Sequence, residues 1–114
     1  MNNRGKDAEA RAAQYLQAQG LQIVERNYNC RYGEIDLIAR DGKTLVFVEV
    51  RARSSNAFGG AAASITTAKQ KKLTRTALHY LSTAGQTPRC RFDAVLLSGD
   101  NAPVEWLQDA FGAT

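Results

Sequence analysis

Gly33-Glu34-Ile35-Asp36-Leu37-Ile38-Ala39 and, one short connection later, Val46-Phe47-Val48-Glu49-Val50-Arg51 are the segments that decide how this chain folds. Both read as strands, and both carry carboxylates inside apolar, β-branched runs. Burying an unpaired carboxylate costs several kcal/mol, to order of magnitude, so acids at such positions need a partner. Alternation along a strand puts Glu34 and Asp36 on one face, and Glu49 and Arg51 on one face. The connection Arg40-Asp41-Gly42-Lys43 contains Asp-Gly, a hairpin signal. A turn at Asp41-Gly42 sets Glu34 opposite Glu49, with Asp36 diagonal to it. A turn at Gly42-Lys43 sets Asp36 opposite Glu49 and Glu34 opposite Arg51. Either register brings the acids within roughly 5–8 Å. The commonest partner for clustered carboxylates is a divalent metal. The alternative is one acid paired with Arg51 and the rest solvated.

The remaining order follows outward from this hairpin. A helix is expected over residues 6–19, with Ala12, Leu16 and Gln19 on one stripe and Gly20 as its stop. Leu21 to Tyr28 reads as a strand, and Tyr32–Arg40 and Thr44–Arg53 form the hairpin. Ser54 to Ser64 is a small, Gly-rich loop. A second helix spans about Thr66–Thr83, with Leu73, Ala77, Tyr80, Leu81 and Ala84 as its apolar stripe. Phe92–Ser98 is a continuous apolar strand, as expected of a buried central position. Ala102–Phe111 reads as a short helix or loop packing Trp106 and Phe111. The order α-β-β-β-α-β predicts an α/β fold: one domain over residues 1–114, with a mixed four-stranded sheet flanked by helices.

The chain has 114 residues, 44% hydrophobic and 23% charged, as in an ordinary globular protein. No run approaches the roughly 18 apolar residues of a membrane span. The start, Met1 to Lys6, has no signal-peptide character. Cys30 and Cys90 lack metal-site spacing and read as free thiols, so a cytoplasmic location is expected. Net charge is +4, unevenly distributed. Between Glu49 and Asp93 there is no acid but eight cations: Arg51, Arg53, Lys69, Lys71, Lys72, Arg75, Arg89 and Arg91. After Asp93 there are acids and no cations. Such segregation predicts a one-sided basic surface for a polyanion.

With these residues in place, the order α-β-β-β-α-β, with Asp on the second strand and Glu-x-Arg on the third, resembles the restriction-endonuclease-like core. It resembles more closely the YraN family of small bacterial proteins, which is similar to archaeal Holliday-junction resolvases. The carrying segments are Gly5-Lys6-Asp7-Ala8-Glu9, Gly33 to Ala39, Phe47 to Arg53, Lys69-Gln70-Lys71-Lys72-Leu73 and Arg91-Phe92-Asp93-Ala94-Val95. The resemblance implies a nuclease ancestry, with DNA rather than RNA as the partner. It implies Asp36 and Glu49 as metal-binding acids for Mg²⁺ or Mn²⁺, joined by Glu9. Glu9 reads equally as a first-turn acid favoured by the helix dipole.

The departure is Arg51, where the general nuclease pattern has Lys. Arginine stays protonated and cannot act as a base, but it can hold a phosphate oxygen. Lys69 is the expected substitute lysine. Lys69, Lys71 and Lys72 crowd a helix N-terminus, where cations oppose the dipole and phosphates bind. The expected nucleic-acid contacts are Arg51, Arg53, Lys69, Lys71, Lys72 and Arg75, with Glu34 and Gln70 in support. Asp93 either pairs with Arg91 or joins the metal site. His79 is expected to face solvent. Tyr28, Tyr32 and Phe58 can stack on bases, but core packing or loop anchoring is the favoured reading. Two-fold substrates such as junctions would call for a homodimer. Three functions are compatible: a metal-dependent nuclease on structured DNA, a non-catalytic nucleic-acid-binding module, or an interaction adaptor using the acidic segment around Trp106.

Overall fold

The computed structural model describes residues 4–52, 65–85, 88–97 and 103–111. Helix α1 (Arg4–Ala18) is followed by β1 (Gln22–Cys30), β2 (Gly33–Asp41), β3 (Thr44–Ala52), α2 (Thr67–Ala84), β4 (Arg89–Leu97) and β5 (Val104–Leu107). The five strands form one sheet in the order β1-β2-β3-β4-β5. β3 and β4 are parallel because α2 carries the chain back between them; the other pairs are antiparallel.

Each helix covers one sheet face. Ala8, Ala12, Ala13 and Leu16 of α1 recur at helical spacing and pack on Leu37, Ala39, Val46, Val48, Val95 and Leu97. Leu73 and Ala77 of α2 pack on Ile35, Ile38, Leu45, Phe47 and Phe92 on the other face. The central strands are therefore buried on both sides, which is why β4 reads as continuous apolar sequence. α2 has a defined start and stop. Thr66 Oγ1 accepts from the Lys69 N–H at 3.2 Å, and Gly85, at φ 68°, donates its N–H to Leu81 O.

The expected order holds, with one correction. Residues 104–107, expected as part of a helix or loop, form a fifth strand on the edge of β4. Val104 and Trp106 join the α1-side core and Leu107 the other side. Four residues are too few for that alternation to be legible as a period.

Asp93 is fully buried and belongs to the framework. Its carboxylate accepts from Arg91 Nε at 2.9 Å and Nη2 at 3.0 Å, from Trp106 Nε1 at 2.9 Å, and from the Asp109 N–H at 2.9 Å. Arg91 also reaches Asp41 at 3.2 Å. One carboxylate thus ties β4 to β5 and, through Arg91, to the β2–β3 turn. Trp106 packs edge-on against Tyr15 of α1. The residue on which an adaptor surface would rest is therefore used internally.

The hairpin takes the second of the two expected registers. Asp41 pairs with Thr44 and Leu37 with Val48, so the turn is Gly42-Lys43. Gly42 has φ 62°, as a two-residue turn with Gly in first place requires. Asp41 stays in the strand, where its carboxylate meets Arg91. Gly33, at φ 150°, starts β2 where α2 comes close: a Cβ there would lie 3.1 Å from Thr76 Oγ1. Gly33→Ala is expected to cost about 1–3 kcal/mol in a denaturant titration. A loss within 0.3 kcal/mol, about experimental error, would contradict this packing.

Candidate active site

The paired β2–β3 register is regular from Asp41↔Thr44 to Leu37↔Val48 and ends there. Beyond it, the Asp36 carboxylate takes the Val50 N–H at 2.8 Å. A side chain replaces a ladder carbonyl, and the two strands part while β3 stays paired with β4 as far as Ala52↔Leu97. The alternation of β2 slips at the same point. Ile35 joins the α2-side core and Leu37 the α1-side core, although they are two residues apart. On the neighbouring strand the pairs Arg26↔Leu37 and Tyr28↔Ile35 skip Asn27, which has φ 54°. Asparagine tolerates that left-handed geometry better than other non-glycine residues. The charges of Asp36 and Glu34 both act on Glu9 of α1.

Asp36 and Glu49 meet where the strands part. Glu49 is only 3% exposed. Its Oε2 lies 2.7 Å from Arg51 Nη2 and 3.5 Å from Lys69 Nζ. Its carboxyl is pushed from the ordinary 4.5 up to about 7, first by burial and then by its hydrogen bond with Asp36 and the charge of Asp36; Arg51 and Lys69 pull the other way. Glu9 arrives from α1 and is also pushed up, first by burial and then by the charge of Asp36, while a hydrogen bond with Asn27 opposes this. Asp36 therefore stands between an acid from the α1 layer and one facing α2. Arg51 Nε is buried and has no hydrogen-bond partner among the described residues.

The other expected site residues divide. Lys69 reaches the acid pair. Lys71, Lys72 and Arg75 are exposed along α2. Gln70 donates to Ile65 O at 3.2 Å, holding the entry to α2. Glu34 does not face Arg51; it is exposed and accepts from Asn29 Nδ2 at 3.5 Å. Arg53, Phe58 and the Gly-rich loop lie outside the described residues. Arg89 and Arg91 stand beside Thr44 and Val46, at the other end of β3 from Glu49, so the acid-free stretch is not one surface. His79 does not face solvent freely: it is half-buried and its Nδ1 is hydrogen-bonded to Tyr28 OH.

Among the described residues, no three His, Cys, Asp or Glu side chains are gathered closely enough to hold a metal ion. The donor set is two facing carboxylates of the hard-oxygen type that suits Mg²⁺ or Mn²⁺, which keep several waters when bound. The pair fits such an ion, and Glu9 lies behind Asp36.

The sequence comparisons place the chain in a family. The model of the uncharacterised protein family UPF0102 matches residues 8–97, spanning both acids and the basic helix. The chain belongs to the UPF0102 family. It is the family, also called YraN, that the motif segments resemble. A UPF0102 protein of Nitrosomonas eutropha is 60% identical over 96% of this chain and 93% of its own length. One of Methylobacillus flagellatus is 58% identical over 99% of this chain and 100% of its own. One of Cupriavidus pinatubonensis is 60% identical over 95% of this chain and 84% of its own. This UPF0102 chain is thus similar to proteins of about its own length. No described helix is long and apolar enough to cross a membrane.

The crowded acids predict a pH dependence for the UPF0102 fold with chelator present. Glu49 holds its proton more tightly when folded, so it favours the fold fully below pH 4.5 and loses that contribution as pH rises through about 7. The shift corresponds to on the order of 3 kcal/mol. Melting temperature in chelator should be higher at about pH 5 than at about pH 8, and Glu49→Gln should flatten the difference. A wild-type protein more stable at the higher pH would contradict this.

Proposed function

We propose that this chain is a metal-dependent phosphodiesterase of the nuclease type acting on structured DNA. The observation that carries the reading is the Asp36–Glu49 pair at the parting of β2 and β3, with Arg51 and Lys69 both on Glu49. Asp36 and Glu49 would hold Mg²⁺ or Mn²⁺ together with a backbone carbonyl and waters. When bound, such an ion supplies Lewis-acid polarisation of a phosphoryl oxygen and a water of lowered pKa.

The chain's own residues do the rest. The Val50 N–H fixes the orientation of Asp36. Arg51 Nε has no hydrogen-bond partner among the described residues, and its guanidinium is held against Glu49, so charge developing on a phosphate at the acid pair would meet a preorganised cation. Lys69 adds a second cation from α2. Lys71, Lys72 and Arg75 continue the positive surface along that helix for flanking phosphates. A two-fold junction substrate would be met by a homodimer.

A second reading rests on Arg51. Its guanidinium lies against Glu49 at 2.7 Å, supplying within the chain part of the positive charge that an ion would bring. On that reading the protein binds nucleic acid without turnover. Calorimetric titration with Mn²⁺, beside cleavage of a panel of branched, nicked and single-stranded DNA, separates the two. The nuclease reading expects Mn²⁺ binding that Asp36→Ala abolishes, together with cleavage of at least one substrate. Wild-type protein that neither binds Mn²⁺ nor cleaves would overturn it.

Binding to duplex should be salt-dependent in either case. With four phosphates met by Lys69, Lys71, Lys72 and Arg75, the log–log slope should be about −3 to −4, at ~0.9 per contact. Removing Lys69, Lys71 and Lys72 together should flatten it by about two to three. A wild-type slope near zero would exclude a phosphate-dominated interface.

A further inference from the structure

We propose that the β1–β2 turn is a base-stacking platform, so that the substrate engaged beyond the acid pair is one with unpaired bases: a single-stranded flank, gap or branch. The inference rests on the nuclease-type reading and names the substrate class that reading leaves open.

Tyr32 at the turn is 36% exposed. Arg31 lies over its ring with the guanidinium carbon 4.9 Å from the centroid, and Arg31 Nη2 donates to Tyr32 OH at 2.8 Å. The His79 ring meets the Tyr32 ring edge-on at 6.0 Å. His79 is in turn held by its hydrogen bond to Tyr28 OH, and Tyr28 packs edge-on against Tyr80 in the core. An exposed aromatic is thus buttressed from beneath and paired with a cation. Packing alone accounts for Tyr28 and His79, but not for the exposed Arg31–Tyr32 pair above them. An exposed ring with a guanidinium plane lying over it is a surface on which a nucleobase can stack while an N–H donor remains for its phosphate.

The path from the acid pair to this platform is continuous. α2 lies along the start of β2. Lys69 touches Glu49, Lys72 and Thr76 lie against Gly33, and His79 lies against Tyr32. These positions recur at helical spacing, so Lys69, Lys72 and His79 share one side of the helix. Tyr32 stands four residues before Asp36, at most about 13 Å along an extended strand. That reach suits a strand whose scissile phosphate sits at Asp36 and Glu49 and whose flanking base, freed from pairing, reaches Tyr32. A paired base cannot offer its face to a side chain there, which is what makes the platform selective.

The test is equilibrium binding of the full chain by fluorescence anisotropy in Ca²⁺, which is used in place of Mg²⁺ or Mn²⁺. The probes are a gapped duplex, an intact duplex of the same length and an oligothymidine. Tyr32→Ala and Tyr32→Leu should each weaken gapped and single-stranded binding by about 10- to 100-fold and intact-duplex binding less than about twofold. Tyr32→Phe, which keeps the π-face, should stay near wild type, and Tyr32→Trp should bind at least as tightly. An oligouridine should follow the oligothymidine if stacking alone is read. Equal weakening on all probes, or none, would overturn the platform. Should Tyr32→Ala not fold, Tyr32→Leu and Tyr32→Trp decide the matter by the same ratio. If the platform fails while wild type still binds duplex and cleaves with Mn²⁺, the nuclease-type reading stands. If wild type binds none of the probes, that reading fails first.

Discussion

Asp93→Ala is expected to remove about 3–5 kcal/mol of folding stability, the range for breaking a buried, hydrogen-bonded charge pair. The carboxylate has no exposed surface and accepts four hydrogen bonds, from Arg91 Nε and Nη2, Trp106 Nε1 and the Asp109 N–H. Alanine leaves an indole N–H and a backbone N–H without their acceptor, and the guanidinium with Asp41 alone. Asp93→Asn keeps an acceptor and a similar shape but loses the charge, so it should cost less, about 1.5–3 kcal/mol. Urea unfolding followed by Trp106 emission measures both, and the emission of the folded variants should shift as the indole loses its partner. Since domains are typically stable by only about 5–15 kcal/mol, the alanine variant would stand near the edge of folding. A cost below about 1 kcal/mol, the size of an ordinary neutral hydrogen bond, would mean that Asp93 is not the tie between β4, β5 and the hairpin turn.

The second large effect falls on Arg51. Arg51→Ala should lower cleavage by about two to three decades, because one preorganised electrostatic group contributes roughly 2–4 kcal/mol at 1.36 kcal/mol per decade. Arg51→Lys should keep or raise cleavage, since lysine restores the general nuclease pattern at that position. The contact with Glu49 at 2.7 Å adds a readout that needs no turnover. Removing the guanidinium removes a cation competing for the same carboxylate, so Arg51→Ala should bind Mn²⁺ more tightly than wild type while cleaving more slowly. Asp36→Ala should lose both metal binding and cleavage, and should leave the Val50 N–H without its acceptor. If wild type and Arg51→Lys both bind DNA yet neither cleaves with Mg²⁺ or Mn²⁺, the binding-module reading is the better account.

Local patterns carried most of the element order into the sequence. The stripes Ala12-Leu16 and Leu73-Ala77 give helices a single burial face, although Gln19, read on the first stripe, is exposed, and the apolar run of β4 needs cover on both sides. Thr66 and Gly85 mark the ends of α2 by chemistry visible in the residues themselves. The same parity reasoning brought Asp36 and Glu49 together, because the register choices differ by two and so keep side-chain direction. β5 was not legible: its strand state comes from the free edge of β4 and from Asp93, which holds Trp106 and Asp109 in place.

The sequence by itself determined that acids from β2 and β3 converge, since strand alternation and a two-residue turn follow from short-range sterics. Only the tertiary structure decided which acid stands where. The ladder ends after Leu37↔Val48, Asp36 takes the Val50 N–H, and Glu9 approaches from α1, where the charges of Asp36 and Glu34 both act on it. The partners of Asp93 and His79 likewise come from other elements. Such contacts depend on how helices settle on a twisted sheet, which is a balance of packing over the whole domain that no local period records.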